Sequence, residues 1–264
     1  MSHDYVEIAR HNQSLILAET LEALAQSHAP PAELFSNAAV CYRVLALCTL
    51  LQEADTEGFA GLLCKAGQAR LAFLELASQG TRRYEPGFLL ASDNCGFSDA
   101  LASGDLDTAR AIARLSPARH GQDLEYEEDF LFTRFLHLWV LAPRDTAGLE
   151  LALERWASVV EEGDPDTRLS ACRALMEKSP DRFSLALQAL VTERKREYRA
   201  YRKQLDFDEE VAATTGKVYL DGLALLRLAE LEGLGPLPAY ELLPELARIP
   251  LGTPLPGPQA WRVG

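Results

Sequence analysis

The residues best equipped for chemistry lie in "DLEYEEDF", Asp123 to Phe130. Five carboxylates (Asp123, Glu125, Glu127, Glu128 and Asp129) fall within seven residues there, with Tyr126 among them. Such a density could hold a metal ion, run acid–base catalysis or meet a positively charged partner. A calcium loop needs oxygen ligands at fixed offsets and a glycine at its sharp turn. Acids at 123, 125, 127, 128 and 129 with no glycine between them do not match that pattern. A catalytic carboxylate pair is defined by its separation in space, which spacing along the chain does not reveal. Negative charge also favours a helix start, by about 0.3–1 kcal/mol per site, but one or two acids meet that preference. Two readings remain: a solvated helix start, and an acidic patch that faces a partner with Tyr126 as an aromatic anchor.

A second acidic cluster, "DFDEE", carries Asp206, Asp208, Glu209 and Glu210. It follows "RKREYRAYRK" (Arg194–Lys203), in which six of ten residues are basic. Basic residues interleaved with tyrosines can bind single-stranded nucleic acid. The adjoining carboxylates and the overall negative charge favour local neutralisation instead, and no nucleic-acid partner is expected. The ten residues Asp123, Glu125, Tyr126, Glu127, Glu128, Asp129, Asp206, Asp208, Glu209 and Glu210 are therefore the candidate partner-binding set.

No other chemical signature stands out. Five histidines show neither HExxH spacing nor pairing with cysteine, so no zinc site is expected; His137 flanks an apolar face and reads as a packed side chain. "GFSDA" (Gly96–Ala100) lacks the second glycine of a nucleophile elbow, and neither a GxxxxGK[ST] loop nor a GxGxxG turn occurs. No catalytic residue, cofactor or metal is expected, and the protein reads as a binder rather than an enzyme. Cys41, Cys48, Cys64, Cys95 and Cys172 form an odd set with no CxxC pair. They read as small buried hydrophobes rather than a disulfide framework.

Net charge sharpens the partner question. The chain of 264 residues carries 39 acids against 26 Lys and Arg, a formal charge of −13. Residues 1–120 hold 14 acids and 9 bases, so the surplus is spread along the chain rather than confined to a tail. A surface of this sign repels phosphates and anionic lipid and attracts basic proteins. The start, "MSHDYVEIARHNQS", has neither a basic nor an apolar leader region, and "NAAVCYRVLALCTLL" (Asn37–Leu51) is interrupted by Arg43 and short of a bilayer span. A cytoplasmic protein that does not engage a membrane is expected.

The elements that must position these residues are helices. Leu17, Leu21 and Leu24 recur at helical spacing within His3–His28. Pro31 suits the first turn of a second helix, which runs to about Ala54 and is apolar nearly all round. A third covers Thr56–Gln79, then Gly80–Asn94 reads as a loop, and Asp105–Ser116 as a short helix. "SPARHGQ" breaks the chain near 117–122, where two halves could part. Beyond it, Phe132, Phe135, Leu136, Trp139 and Val140 line one face of a helix. Asp145–Gly163 and Asp164–Ser179 follow, then a helix capped by Ser179 with Pro180 in its first turn. Gly216–Leu234 is the last strong helix and Ala239–Arg248 a short one. The fold class is all-α: a stacked array of antiparallel helix pairs over residues 1–249, then an extended Pro/Gly-rich tail at 250–264.

"KVYLDGLALLRLAELEGL", followed by "AYELLPELARIP", resembles the end of the immunity protein 49 family of bacterial polymorphic toxin systems. The points of likeness are a small-residue-rich helix (Asp221–Ala229), Gly233–Leu234, Tyr240, and Pro244 or Pro250. "DNCGFSDALASGDLDTARAIARLS" (Asp93–Ser116) resembles the family's passage of a small helix, Gly-Asp and a second short helix. The resemblance implies an all-helical cytosolic protein that binds and neutralises a cognate toxin, with the matched residues packing helices and turning the chain. A basic toxin such as a nuclease would suit the acidic charge. The rival expectation is a helical-repeat adaptor that holds a peptide or a secretion component.

Overall fold

A computed structural model describes residues 2–160, 166–235 and 237–263. Among these residues it contains eleven α-helices and no strand. The first half supplies α1 (Ser2–Gln26), α2 (Ala32–Glu53), α3 (Thr56–Ser78), α4 (Phe97–Ser103) and α5 (Leu106–Leu115). The second supplies α6 (Glu127–Leu141), α7 (Thr146–Val159), α8 (Thr167–Met176), α9 (Pro180–Tyr201), α10 (Glu209–Ala213) and α11 (Leu220–Leu231).

Local chemistry explains most of the helix starts. Asp55, Asp105, Asp145, Asp166, Ser179 and Asp208 each stand just outside a helix, and each side chain accepts a hydrogen bond from an otherwise unpaired first-turn amide. Pro31 is placed one residue earlier than its type suggests, as the cap of α2 rather than within its first turn. The expected ends at Gly163 and Asp164 lie outside the described residues.

From α1 to α9, helices adjacent in sequence pack on one another, and α11 closes the array by packing on α4 and α9 while α10 packs on α1. One apolar core runs from Leu17 through Phe59, Phe97, Phe135, Trp156 and Phe183 to Trp261. α2 is long and apolar enough to cross a membrane by those two criteria alone, and 67% of its most apolar stretch is buried within this fold.

Two expectations near the C-terminus are corrected. Ala239–Arg248 forms no α-helix but a bridge between Tyr240 and Leu243 and a single 3-10 turn at Glu245–Ala247. Pro244 cannot donate into a helical ladder, and Leu242 lies in the left-handed region at φ 64°. The last strong helix begins at Leu220, because residues 214–217 form a turn closed by the Lys217 amide on the Thr214 carbonyl (2.9 Å).

The tail expected to be extended runs through turns and irregular chain, ends in a 3-10 turn at Ala260–Arg262, and is anchored. Gln68 donates to the Pro256 and Gly257 carbonyls (3.3 and 3.0 Å), Lys65 to that of Val263 (2.7 Å), and the Tyr42 hydroxyl to that of Trp261 (2.5 Å). The Trp261 ring is 1% exposed and packs 5.8 Å from that of Phe35.

Candidate functional site: an acid-rich cleft between α6, α9 and α11

The acidic stretch is dispersed by the fold. Asp123 occupies a left-handed turn at φ 63° and is exposed. Glu125 turns inward, its carboxylate accepting from the Gly121 amide at 2.9 Å and the Ser92 amide at 3.0 Å. It ties the loop before α6 to the loop before α4. Tyr126 is the N-cap residue of α6 and is 76% exposed. Glu127 is held by Arg155 of α7 through Nη2 (2.6 Å) and Nε (2.9 Å). Only Glu128 and Asp129 face a cavity.

The second acidic cluster goes elsewhere. Asp206, Asp208 and Glu209 are exposed, Asp208 caps α10, and Glu210 accepts from Asn12 of α1 at 2.7 Å. None of them lines the same cavity. Among the described residues half of the basic run is paired, and by other acids than these: Arg194 with Glu197, Lys195 with Glu241 and Arg196 with Glu193.

The cavity is a cleft of about 600 Å³, within the usual range for ligand sites of roughly 300–1,000 Å³. Its walls come from six separate parts of the chain, one of them Val160 at the end of α7. α6 gives Glu128, Asp129, Phe132 and Thr133, and α9 gives Leu190, Glu193, Arg194 and Glu197. Asp166 and Arg168 enter at the start of α8, Ser92 and Asn94 from the loop before α4, and Tyr219 and Asp221 from the start of α11. Six carboxylates thus meet two guanidiniums.

Most of these charges have partners. Arg168 is bound to Asp129 at 2.6 Å and Asp166 at 3.5 Å, and its guanidinium lies over the Phe132 ring at 5.4 Å. Burial opposes its charge, but the hydrogen bond it donates to Asp129 and the nearby carboxylates outweigh that, and its pKa is raised. Asp166 also accepts from the Trp156 indole at 2.9 Å. Arg194 pairs with Glu197 at 3.0 Å and lies over the Tyr198 and Tyr219 rings, at 4.8 and 5.4 Å. Glu193 accepts from the Thr167 hydroxyl at 2.5 Å.

Two carboxylates are left without a cation bonded to them among the described residues. Among those residues the Glu128 side chain has no hydrogen-bond partner, and Asp221 has only neutral ones: its Oδ1 accepts from Asn94 Nδ2 and Ser98 Oγ, both at 2.7 Å. Beside Asp221, Tyr219 is 8% exposed and its hydroxyl makes no hydrogen bond among the described residues. Burial, then the charge of Asp221, raises the Tyr219 pKa, so the hydroxyl stays protonated.

The floor beneath Asp221 is rigid for a local reason. Gly96 adopts φ +89°, and a Cβ there would lie 2.4 Å from the Cβ of Arg70. Its amide donates to Asp99 at 2.6 Å, which starts α4 and presents Ser98 to Asp221. Arg70 holds the incoming loop through the carbonyls of Phe88 (2.7 Å) and Leu90 (3.2 Å) and through Asp93 (3.1 Å).

Sequence reasoning placed Asp221 among structural residues and passed over Arg168, Glu193 and Tyr219 as site residues. One signal was available: Asp221 is the sole acid in the first turn of a largely apolar helix. Among the described residues, no group of three His, Cys, Asp or Glu side chains is placed to hold a metal ion. No protein-family model matches the chain, and no curated protein or solved structure is significantly similar to it.

Proposed function

We propose that this protein is an immunity protein that neutralises a cognate, basic bacterial toxin by stoichiometric association. The observation that carries the reading is the cleft in which six carboxylates meet only two guanidiniums, with Glu128 and Asp221 bonded to no cation among the described residues. A concave surface with unneutralised negative charge raises the encounter rate with a basic protein and disfavours acidic ones. The overall charge of −13 acts in the same direction at longer range. The resemblance of Asp221–Leu234 and Asp93–Ser116 to the immunity protein 49 family supplies the class of partner, and both segments contribute to the cleft through Asp221 and Asn94. A toxin that acts on nucleic acid would present the complementary surface, since it must attract phosphate.

Co-expression with the protein encoded beside it tests the reading. Growth rescue and a one-to-one complex that survives purification at low salt are the expected results. Failure of both, with both proteins folded, overturns it.

A further inference from the structure

We propose that the cleft is a receptor for one basic side chain, an Arg or Lys presented by a loop of the protein partner, with Asp221 and Tyr219 as its floor and Glu128 at its edge. The identity of the partner rests on the reading above; the cation site does not.

Three observations point to a cation. Asp221 uses Oδ1 for both of its hydrogen bonds, leaving Oδ2 without a partner among the described residues. Arg43, whose charge is felt at Asp221, gives its hydrogen bonds to Asp99 instead (2.9 and 3.1 Å). The Tyr219 hydroxyl, also unpartnered among the described residues, belongs to a side chain that lines the cleft with Asp221, Arg168 and Glu197, its ring beneath the Arg194 guanidinium at 5.4 Å. An incoming N–H donor could bond to both oxygens at once, and a bond to a charged acceptor is stronger than one between neutral groups.

The two arginines already present show how this cleft accommodates a guanidinium. Arg168 is bonded to carboxylates and stacked over Phe132, and Arg194 is bonded to a carboxylate and stacked over two tyrosines. A third cation placed against Asp221 repeats the same pairing of carboxylate with aromatic face. A volume of about 600 Å³ leaves room for the aliphatic stem and part of the loop that carries it.

The test is a calorimetric and NMR titration of the full chain with N-acetyl-arginine amide and N-acetyl-lysine amide. Spermidine serves as a small-molecule polycation and N-acetyl-citrulline amide as a neutral shape match. Arginine amide is expected to saturate one site with a Kd on the order of a millimolar. Asp221→Asn is expected to weaken it about tenfold or more and Tyr219→Phe about fivefold, and citrulline amide should not bind. Glu128→Gln, at a side chain without bonds, should weaken binding about twofold to fivefold while leaving the fold untouched. It keeps the test decisive if Asp221→Asn fails to fold. Absence of saturable binding, equal binding of citrulline amide, or undiminished affinity in the variants overturns the site. Spermidine binding tenfold tighter than arginine amide overturns the side-chain assignment in favour of a free polyamine. A bound arginine amide with no toxin complex discards the immunity reading and leaves the site. A complex without arginine amide binding does the reverse.

Discussion

Arg43 of α2 donates through Nε to both carboxylate oxygens of Asp99 in α4, at 2.9 and 3.1 Å, and the Asp99 side chain is fully buried. The pair joins α2 to the short helix that presents Ser98 to the cleft. Breaking a buried pair by removing one partner strands a charge in the core. Asp99→Ala is therefore expected to cost about 3–5 kcal/mol in urea-unfolding free energy. A loss under 1 kcal/mol would show that the pair is not the joint inferred here.

His137 is 1% exposed, packs edge-on against Phe97 with centroids 4.4 Å apart, and has no hydrogen bond at either ring nitrogen among the described residues. Burial, reinforced by the charges of Arg134 and Arg70, pushes its pKa down to about 3. The unfolded chain takes up this proton near pH 6.5 and the folded chain does not, so stability is lost as pH falls from about 6.5 towards 3. Wild type should lose about 2 kcal/mol between pH 7 and 5 through this group, and His137→Leu should lose none of that share. Parallel pH dependence of the two proteins in urea titrations would remove His137 as the cause.

Glu125 and Glu128 are three residues apart yet do different work. Glu125→Gln should destabilise the fold by about 2 kcal/mol, because its carboxylate satisfies two backbone amides across two loops. Glu128→Gln should leave stability within about 0.5 kcal/mol and slow association with the toxin several-fold at low salt. Thermal melts and stopped-flow rates at two ionic strengths separate these outcomes. A slower rate for Glu125→Gln with unchanged stability would reverse the assignment.

Trp261 fixes the C-terminal segment between α2 and α3. Trp261→Ala removes a fully buried indole that packs on Phe35 and is expected to cost about 3–5 kcal/mol. Limited proteolysis should then cut within 250–263 while the remaining helices persist. Resistance equal to wild type would show that the polar contacts of Gln68 and Lys65 suffice.

All five cysteines are unpaired; Cys41, Cys48, Cys64 and Cys172 are buried. Burial raises Cys41 and Cys48 to about 11 and Cys95 to about 12, and Cys64 and Cys172 are also pushed up. Native protein should react with a thiol reagent at pH 8 far more slowly than unfolded protein, which should yield five equivalents. A rapidly labelled cysteine in the native protein would contradict this burial.

Much of the helical layout was legible in the residue order because its causes are local. An Asp or Ser that caps the amide three residues on, an apolar residue every third or fourth position and a proline after the cap all act within one turn. Asp105, Ser179 and the Phe132–Val140 face follow from such rules. The Ala239–Arg248 segment did not, since Pro244 and the left-handed Leu242 yielded to the need to bury Tyr240 and Leu243 against the core. The site was less legible. Glu128 and Asp129 were visible as members of an acidic run, but Asp221 looked like a residue that merely starts a helix.

The residue order by itself determined that the chain is helical, that it is acidic, and where many helices begin. Only the tertiary structure decided which charges remain unneutralised. Asn94, Asp129, Arg168, Glu193 and Asp221 lie in five different segments, and Asn94 bonds to Asp221 across 127 positions. Electrostatic pairing depends on ångström separations in space, and helix packing sets those separations while composition does not.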